Sequence, residues 1–564
     1  MDFKHELALK IAAALDLDIL EIEDTIEIPA NAEMGDYSYP CFKLAKLKKK
    51  APNMIAQDLA AELGEIEFID AVETVAAYVN FRMNKAYMAE ITLKAVLEAG
   101  ADYGRSEIGN GKTVVMDYSS PNIAKPLHIG HIRTTMIGNA LYKTQKFLGY
   151  NVVGINYLGD WGTQFGKMIV AVKSWGDKEL IEKGGIKELV NLYIRFHDEA
   201  DEKPDLNDEA RSWMLKMQNG DEEAMGLWKW ICDISRKELD ITYKRLNITF
   251  DSYRGESYYN DKMMPVVEEL KEKNLLVESD GAQIVNLEEY NMPPCLILRK
   301  DGGTLYPTRD IAAAMDRMEM YKLHKSIYIT GLEQNLHFAQ WFKVIELMGY
   351  EWAKDLVHIS YGMISLDSGK LSTRKGNVIY LEDLLDEAVA RTLEIINEKN
   401  PTLENKEEVA EQVGIGAIIF NDLYNSRIKD VTFSWEKMLN FEGETGPYVQ
   451  YTCARAYSVL QKAEFSPDKN IDYSLLDDDA SFNIMKLLYT YPDKLIESAE
   501  KYEPYIITRH LTAIAQAFNY FYHENPILSS EGELKKARLN LVYAVREVLK
   551  TGLGLIGIQA PDKM

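Results

Sequence analysis

The stretch His128-Ile129-Gly130-His131 stands where a short apolar run meets the start of a helical pattern, and this junction constrains the fold more than any other segment. Upstream, Thr113-Val114-Val115-Met116-Asp117-Tyr118 reads as a buried strand, which Ser119-Ser120-Pro121-Asn122 breaks. From His131 onward Ile132, Met136, Ile137 and Leu141 recur at helical spacing until Gly149, which predicts a strongly amphipathic helix. The order strand, loop, helix suggests a nucleotide site. Free N–H groups and the positive dipole end of a helix attract phosphate, and a glycine lets a flat base approach the backbone. Two imidazoles three residues apart are expected on one helical face, where both can donate to phosphate oxygens. A chance pair, or half of a zinc site, would look the same locally. Cys41, Cys232, Cys295 and Cys453 show no paired spacing and no third ligand is evident, so neither zinc nor any other bound metal centre is expected.

A second motif lies some 240 residues on. Gly369-Lys370-Leu371-Ser372-Thr373-Arg374-Lys375-Gly376-Asn377 follows the strand-like Val357-His358-Ile359-Ser360-Tyr361-Gly362-Met363. A short basic loop flanked by glycines can close over a polyphosphate. Together the two motifs resemble the HIGH and KMSKS signatures of class I aminoacyl-tRNA synthetases, whose catalytic domain is a Rossmann-like parallel sheet with its site at the carboxyl ends of the strands. Four more stretches narrow the resemblance to the arginyl-tRNA synthetases: Ser119 to Leu127, Asn156 to Gly166, Tyr306-Pro307-Thr308-Arg309-Asp310, and Thr445-Gly446-Pro447-Tyr448-Val449-Gln450-Tyr451.

Composition is compatible with this. The 564 residues suffice for several cores, and 46% apolar with 27% charged is ordinary for a globular protein. The charged start Met1-Asp2-Phe3-Lys4-His5-Glu6 does not read as a signal peptide, and no apolar run reaches membrane-spanning length, so a cytoplasmic chain without membrane contact is expected. Four unpatterned cysteines fit a reducing compartment. With 64 basic against 88 acidic residues the formal charge is −24, so an RNA partner must be held by local basic patches. Lys43, Lys46, Lys48, Lys49 and Lys50 form one such patch, or simply a solvated helix face.

The expected architecture is α/β: a Rossmann-like parallel-sheet catalytic domain with an N-terminal α+β module and a C-terminal all-helical bundle. Residues 1–107 carry the first module, 108–400 the catalytic domain with a charged helical insertion around 175–250, and 401–564 the bundle. The resemblance implies that the first module reads the tRNA D-loop and the last binds the anticodon. Tyr78 could stack on an unpaired base, or pack inward as an ordinary strand aromatic, while Asn80 could bond to a base edge. Tyr451 and Arg455, one helical turn apart, could stack on and contact anticodon bases, with the chain terminus near Met564 a possible neighbour.

The reaction implied is attack of the arginine carboxylate on the α-phosphorus of ATP, carried with Mg2+, which expels pyrophosphate and leaves an arginyl-adenylate. Its aminoacyl group then passes to the 2′-hydroxyl of the terminal adenosine of arginine tRNA. Such a site works by positioning and by neutralising phosphate charge. His128 and His131 are the expected donors, Gly130 leaves room for adenine, and Lys370 and Ser372 bind the phosphates. Where the family signature has its second lysine this chain has Thr373, so Lys125, three residues before His128, is a candidate to supply the missing charge. A guanidinium demands a fork of acceptors. By motif position these are Asp310 and Glu256, with Tyr306 walling the pocket and Asp117, Asn122 and Gln334 at the ammonium and carboxylate end. The family further implies a monomer that requires tRNA even for activation. Rival readings are a HIGH-motif nucleotidyltransferase acting on a non-RNA substrate, another class I synthetase for glutamate or lysine, and a dead RNA-binding paralogue. The last would have lost His128, His131 or Lys370.

Overall fold

Val114, Val115 and Met116 project to alternate faces of one strand, yet each is at most 1% exposed, so that strand has to run through a sheet covered on both sides. The computed structural model, which describes residues 2–366 and 379–564, shows why. The described residues divide into two compact units.

The first unit comprises Met1–Tyr103, Arg455–Tyr491 and Ala513–Leu549. Its sheet has the order β1-β3-β2, built from β1 (Tyr37–Pro40), β2 (Ile69–Val75) and β3 (Tyr78–Met83), all antiparallel. Here the first residues of the chain pack on the segment Arg455–Tyr491. The Phe3 ring lies 4.7 Å from that of Tyr489, whose hydroxyl accepts the Phe3 N–H, and Lys486 pairs with Asp36 at 3.3 Å.

The second unit comprises Gly104–Ala454, Pro492–Thr512 and Lys550–Met564. In chain order it holds β4 (Thr113–Asp117), β5 (Asn151–Ile155), an antiparallel trio β6 (Leu276–Ser279), β7 (Ala282–Val285) and β8 (Cys295–Leu298), then β9 (Lys325–Gly331), β10 (Leu356–Tyr361), and the short parallel pair β11 (Ile364–Leu366) and β12 (Val431–Phe433). The main sheet is parallel, in the order β10-β9-β4-β5. From β4 the chain steps one way to β5 and later the other way to β9 and β10. The order therefore reverses between β4 and β9, and the crevice of such a sheet opens at the carboxyl ends of those strands. β12 interrupts the helical pattern expected from Leu381 to the end, because three residues are too few for a periodicity to register.

The helix Gly130–Phe147, which connects β4 to β5, is not amphipathic as expected but buried nearly all round, including Arg133, Thr134, Thr135 and Asn139. Its polar side chains are matched by neighbours. Thr134 donates to the Ile329 carbonyl at 2.6 Å, and Arg133 donates to the carbonyls of Gly362 and Lys429 at 2.9 and 2.7 Å. Arg133 Nε also meets the Asp422 carboxylate at 3.0 Å, with both side chains at most 1% exposed. The insertion forms helices Lys178–Glu202, Asp205–Gln218 and Glu222–Arg245. Its charged runs at 201–203 and 221–223 are exposed, as solvated faces should be. The C-terminal tail is threaded back into this unit. Gln450 donates to the Gln559 carbonyl at 2.7 Å, and Met564 packs on the cluster of Ile396, Val409 and Val413.

Because breaking a buried ion pair strands a charge without water, Asp422→Ala is expected to destabilise the second unit by ~3–5 kcal/mol. Arg133→Met in the same chain should recover part of that loss. Calorimetric midpoints of the two variants check this, and an unchanged midpoint for the single variant would remove the pair as a structural tie.

Candidate active site

The loop after β4 takes conformations that a chain adopts only under constraint. Ser119, Ser120 and Ala124 have φ of 69°, 46° and 59°, a region costing ~1–3 kcal/mol per non-glycine residue. Hydrogen bonds from several elements hold it there. The Ser119 and Ser120 N–H groups donate to Thr134 Oγ1 and Asn156 Oδ1, both at 3.1 Å, and Ser120 Oγ donates to Asp117 Oδ1 at 2.7 Å. Tyr243, on the last insertion helix, bonds both Ser119 and Asn156 at 2.8 and 3.0 Å, so the insertion braces this loop.

His128 does not sit on the helix. It precedes it, in an antiparallel bridge with Tyr380, while Ile129 N–H donates to the Ile379 carbonyl at 2.9 Å. The helix begins at Gly130, so the two histidines flank its first turn, with ring centroids 3.9 Å apart. The backbone sets their tautomers. His128 N–H donates to His131 Nδ1, and Gly130 N–H donates to His128 Nδ1, each at 3.1 Å. With Nδ1 accepting in both, each neutral ring carries its proton on Nε2, free to donate outward. Burial pushes both rings down, helped by Lys125 for His128 and by His128 for His131, which falls to about 4. Gly130 owes its lack of a side chain to this arrangement: a Cβ there would lie 2.9 Å from the His128 ring. Lys125 is exposed. Lys370 and Ser372 lie outside the described residues.

At the carboxyl ends of β4 and β9 is a cavity of about 410 Å³. Its lining includes Asp117, Asn122, Glu256, Tyr306, Asp310 and Gln334, so all six residues named for the substrate pocket meet in one place. The helix Tyr306–Tyr321 supplies two of the six. Tyr306, Asp310, Ala313 and Arg317 all line the cavity, and their spacing of three and four residues is one helical face. Tyr306, 67% exposed, stands at the mouth. Asn122 bridges Gly159 in parallel fashion, and its Oδ1 lies 2.1 Å from where a Gly159 Cβ would be, so only glycine fits there.

The cavity's acidic groups come in pairs. Asp117 Oδ2 meets Arg317 at 2.9 Å; both are almost fully buried, and Arg317 lies over the rings of Tyr157 and Tyr328 at 5.1 and 5.7 Å. Glu256 meets Arg309 at 2.9 Å, and Asp310 Oδ2 meets His337 Nε2 at 2.6 Å. Burial pushes Glu256 up to about 7 against the pull of Arg309, with Asp310 and Asp160 adding to the rise. Glu256 opens a 3₁₀ turn that Asp160 anchors by accepting from Ser257 N and Oγ at 2.8 and 2.7 Å.

Comparison with known proteins follows this geometry. Three family models match the chain: tRNA synthetases class I (R), catalytic domain, over residues 92–435; the DALR anticodon binding domain over 449–564; and the arginyl tRNA synthetase N terminal domain over 1–83. The arginine–tRNA ligase of Halothermothrix orenii is 56% identical over 565 residues, covering 100% of both chains. The chain belongs to the arginyl-tRNA synthetase family. The arginine–tRNA ligase of Clostridioides difficile is 55% identical over 97% of each chain. Among solved structures, Thermus thermophilus arginyl-tRNA synthetase matches with a TM-score of 0.82 at 24% identity over 100% of both chains. That of Plasmodium falciparum matches at 0.80, also 24% identical, over 99% and 98%. These two show the shared fold.

In this arginyl-tRNA synthetase, Arg309, Arg317 and His337 are the site residues that motif reading missed. Arg317 lies seven residues after Asp310 and His337 three after Gln334, intervals that a helical reading could have used. The RNA-binding candidates are not part of the cavity. Tyr78 is half-buried, with the Phe42 ring edge-on at 5.4 Å. Asn80 is 1% exposed on the central strand β3, and its carbonyl oxygen accepts from Ser38 at 2.6 Å. Strand alternation alone could not tell which face the module's core covers. Tyr451 and Arg455 share the helix Gly446–Lys462. Arg455 hydrogen-bonds Asn519 and lies over the Tyr522 ring at 5.3 Å. No group of three metal-ligating side chains occurs among the described residues.

A histidine depressed on folding takes its proton later than it does in the unfolded chain. As pH falls from about 6.5 to 4, His131 therefore removes stability, and above that window it contributes no pH dependence. The His131 ring of isotopically labelled protein is expected to titrate near 4 by NMR. A midpoint at or above 6.5 would contradict the neutral, Nε2-donating pair.

Proposed function

We propose that this chain performs the ligation of L-arginine to its tRNA in the cavity between β4 and β9, with His128 and His131 as phosphate donors. The observation that carries the reading is the convergence of Asp117, Glu256 and Asp310 on one cavity at the switch point of a parallel sheet, in a chain whose histidine pair has Nδ1 occupied and Nε2 left to donate. Arginine enters with its guanidinium toward Asp310, Tyr306 walls the mouth, and Asn122, Gln334 and Asp117 face its ammonium and carboxylate end. Glu256, already paired with Arg309, lends negative potential as a second acceptor.

ATP enters as its Mg2+ complex. The arginine carboxylate oxygen bonds to the α-phosphorus as the bond to the bridging oxygen breaks, and pyrophosphate leaves. The Nε2–H groups of His128 and His131 donate to phosphate oxygens as charge develops there. Because both rings are neutral they give hydrogen bonds without taking a proton from the substrate. Lys125 brings a cation to the mouth, and Lys370 and Ser372 hold the departing pyrophosphate. The arginyl-adenylate then transfers its acyl group to the 2′-hydroxyl of the tRNA's terminal adenosine, releasing AMP.

Residues 1–107 read the D-loop in this scheme, Tyr78 stacking on an unpaired base. Residues 108–400 activate arginine, and 401–564 bind the anticodon through Tyr451 and Arg455. The enzyme acts as a cytoplasmic monomer. No helix among the described residues is long and apolar enough to cross a membrane.

Two measurements test the scheme. Pyrophosphate exchange run with each amino acid should respond to arginine alone, and only once arginine tRNA is added, since remote binding energy orders the site. Exchange driven by glutamate or lysine would overturn the substrate, and robust exchange without RNA would overturn the coupling. Asp310→Asn should raise the arginine KM far more than the ATP KM, by a loss of roughly 2–5 kcal/mol. Equal effects on both substrates would move Asp310 out of the arginine pocket.

A further inference from the structure

The cavity's carboxylates differ in what neutralises them. Asp117 and Glu256 each face an arginine at 2.9 Å, and a guanidinium is always charged, so each already shares its charge with a fixed cation before any substrate arrives. Asp310 faces His337 instead, at 2.6 Å. His337 Nε2 is within hydrogen-bonding distance of Oδ2 and so holds one oxygen of the carboxylate in a fixed direction. Glu333, the remaining acidic residue of the lining, is exposed at the rim.

His337 is itself well placed to hold a direction. It lies three residues after Gln334, in the first turn of the helix Asn335–Leu347. Its ring meets the Phe338 ring edge-on at 5.5 Å, and Phe338 in turn stacks on His358 of β10 at 4.2 Å and 8°. His358 is fixed by Thr330 of β9 at 2.7 Å. The imidazole that grips Asp310 is thereby tied to the sheet and not to the mobile side of a loop.

We infer that His337 is a positioning residue for substrate selection: by gripping one oxygen of Asp310 it fixes the direction of the carboxylate that distinguishes a guanidinium from a neutral isostere. The inference rests on the arginine reading of the cavity. Citrulline is the discriminating probe, because its urea has the shape of the guanidinium but presents a carbonyl oxygen where arginine presents N–H. A fixed carboxylate repels that oxygen. One free to rotate, or to be protonated, does not.

The experiment uses the full-length enzyme with saturating arginine tRNA, and reads exchange kinetics for arginine and ATP together with inhibition by citrulline. His337→Ala leaves the Asp310 carboxylate ungripped. A lost charge-assisted hydrogen bond of about 1.5–3 kcal/mol corresponds to an arginine KM raised about 10- to 100-fold. The ATP KM should move less than about threefold, and the preference for arginine over citrulline should fall by at least about tenfold, on the same conversion. His337→Gln places an amide N–H where Nε2 stood and should restore both values to within about threefold of wild type. In the double variant with Asp310→Asn, the second substitution should add little to the first, since the two residues act as one unit. If His337→Ala fails to fold, His337→Phe, which keeps a ring against Phe338 but has no donor for Asp310, takes its place and should show the same rise in the arginine KM and the same loss of preference over citrulline. An arginine KM unchanged in His337→Ala, KM values for arginine and ATP raised alike, or a Gln variant as impaired as the Ala variant would each overturn the role of His337. If Asp310→Asn leaves the arginine KM untouched, the arginine reading itself fails. If Asp310→Asn is impaired and His337→Ala is not, only the positioning role falls.

Discussion

Arg317 carries a charge that has no access to water, and its pairing with Asp117 at the carboxyl end of β4 is the constraint on which the site depends. The guanidinium comes from the helix Tyr306–Tyr321, the carboxylate from the central strand, and the rings of Tyr157 and Tyr328 cover the cation from the neighbouring strands' side. Three strand ends and one helix are thereby fixed around a single ion pair. Because an unpartnered buried charge costs several kcal/mol, these elements cannot part locally without a large penalty. Once Arg317 is placed, helical geometry delivers Asp310 and Tyr306 to the same cavity, seven and eleven residues earlier on the same face.

A second constraint acts on the histidine motif. The strained loop after β4 is held by side chains of three other elements, and it leads into two imidazoles whose Nδ1 atoms are occupied by backbone N–H groups. Burial then keeps both rings neutral. The result is a pair of fixed donors that need no reorganisation when charge develops on phosphate, which is where preorganised electrostatics contribute most. The same stretch is hydrogen-bonded to Ile379 and Leu381, so the histidine motif and the chain leaving the basic loop share one short bridge.

Much of this was legible from local pattern. The buried run 113–117, the helix after His131, the strands near 151, 325 and 357, and the helices from Leu381 are short-range readings of hydrophobic period, and the structure has them close to where the sequence puts them. The six pocket residues were legible because each sits in a recognisable motif. Less legible were features set by packing. His128 falls outside the helix, in a bridge with Tyr380, and a Cβ on Gly130 would crowd the His128 ring. Asn80 is buried because both faces of β3 are covered there, as Val79 and Phe81 on either side of it show.

The sequence by itself determined the class of chemistry, since two phosphate-binding motifs and a set of guanidinium acceptors are residue types at fixed spacings, and spacing survives without a fold. Only the tertiary structure decided how charge is distributed among those acceptors. Which carboxylate meets an arginine and which meets a histidine depends on residues up to 200 positions apart, Asp117 with Arg317 among them, being brought within 3 Å. It also decided that the first hundred residues share one unit with the segments Arg455–Tyr491 and Ala513–Leu549, where Phe3 packs on Tyr489. Contacts of that kind are selected by the burial of whole surfaces, and no window of a few residues carries that information.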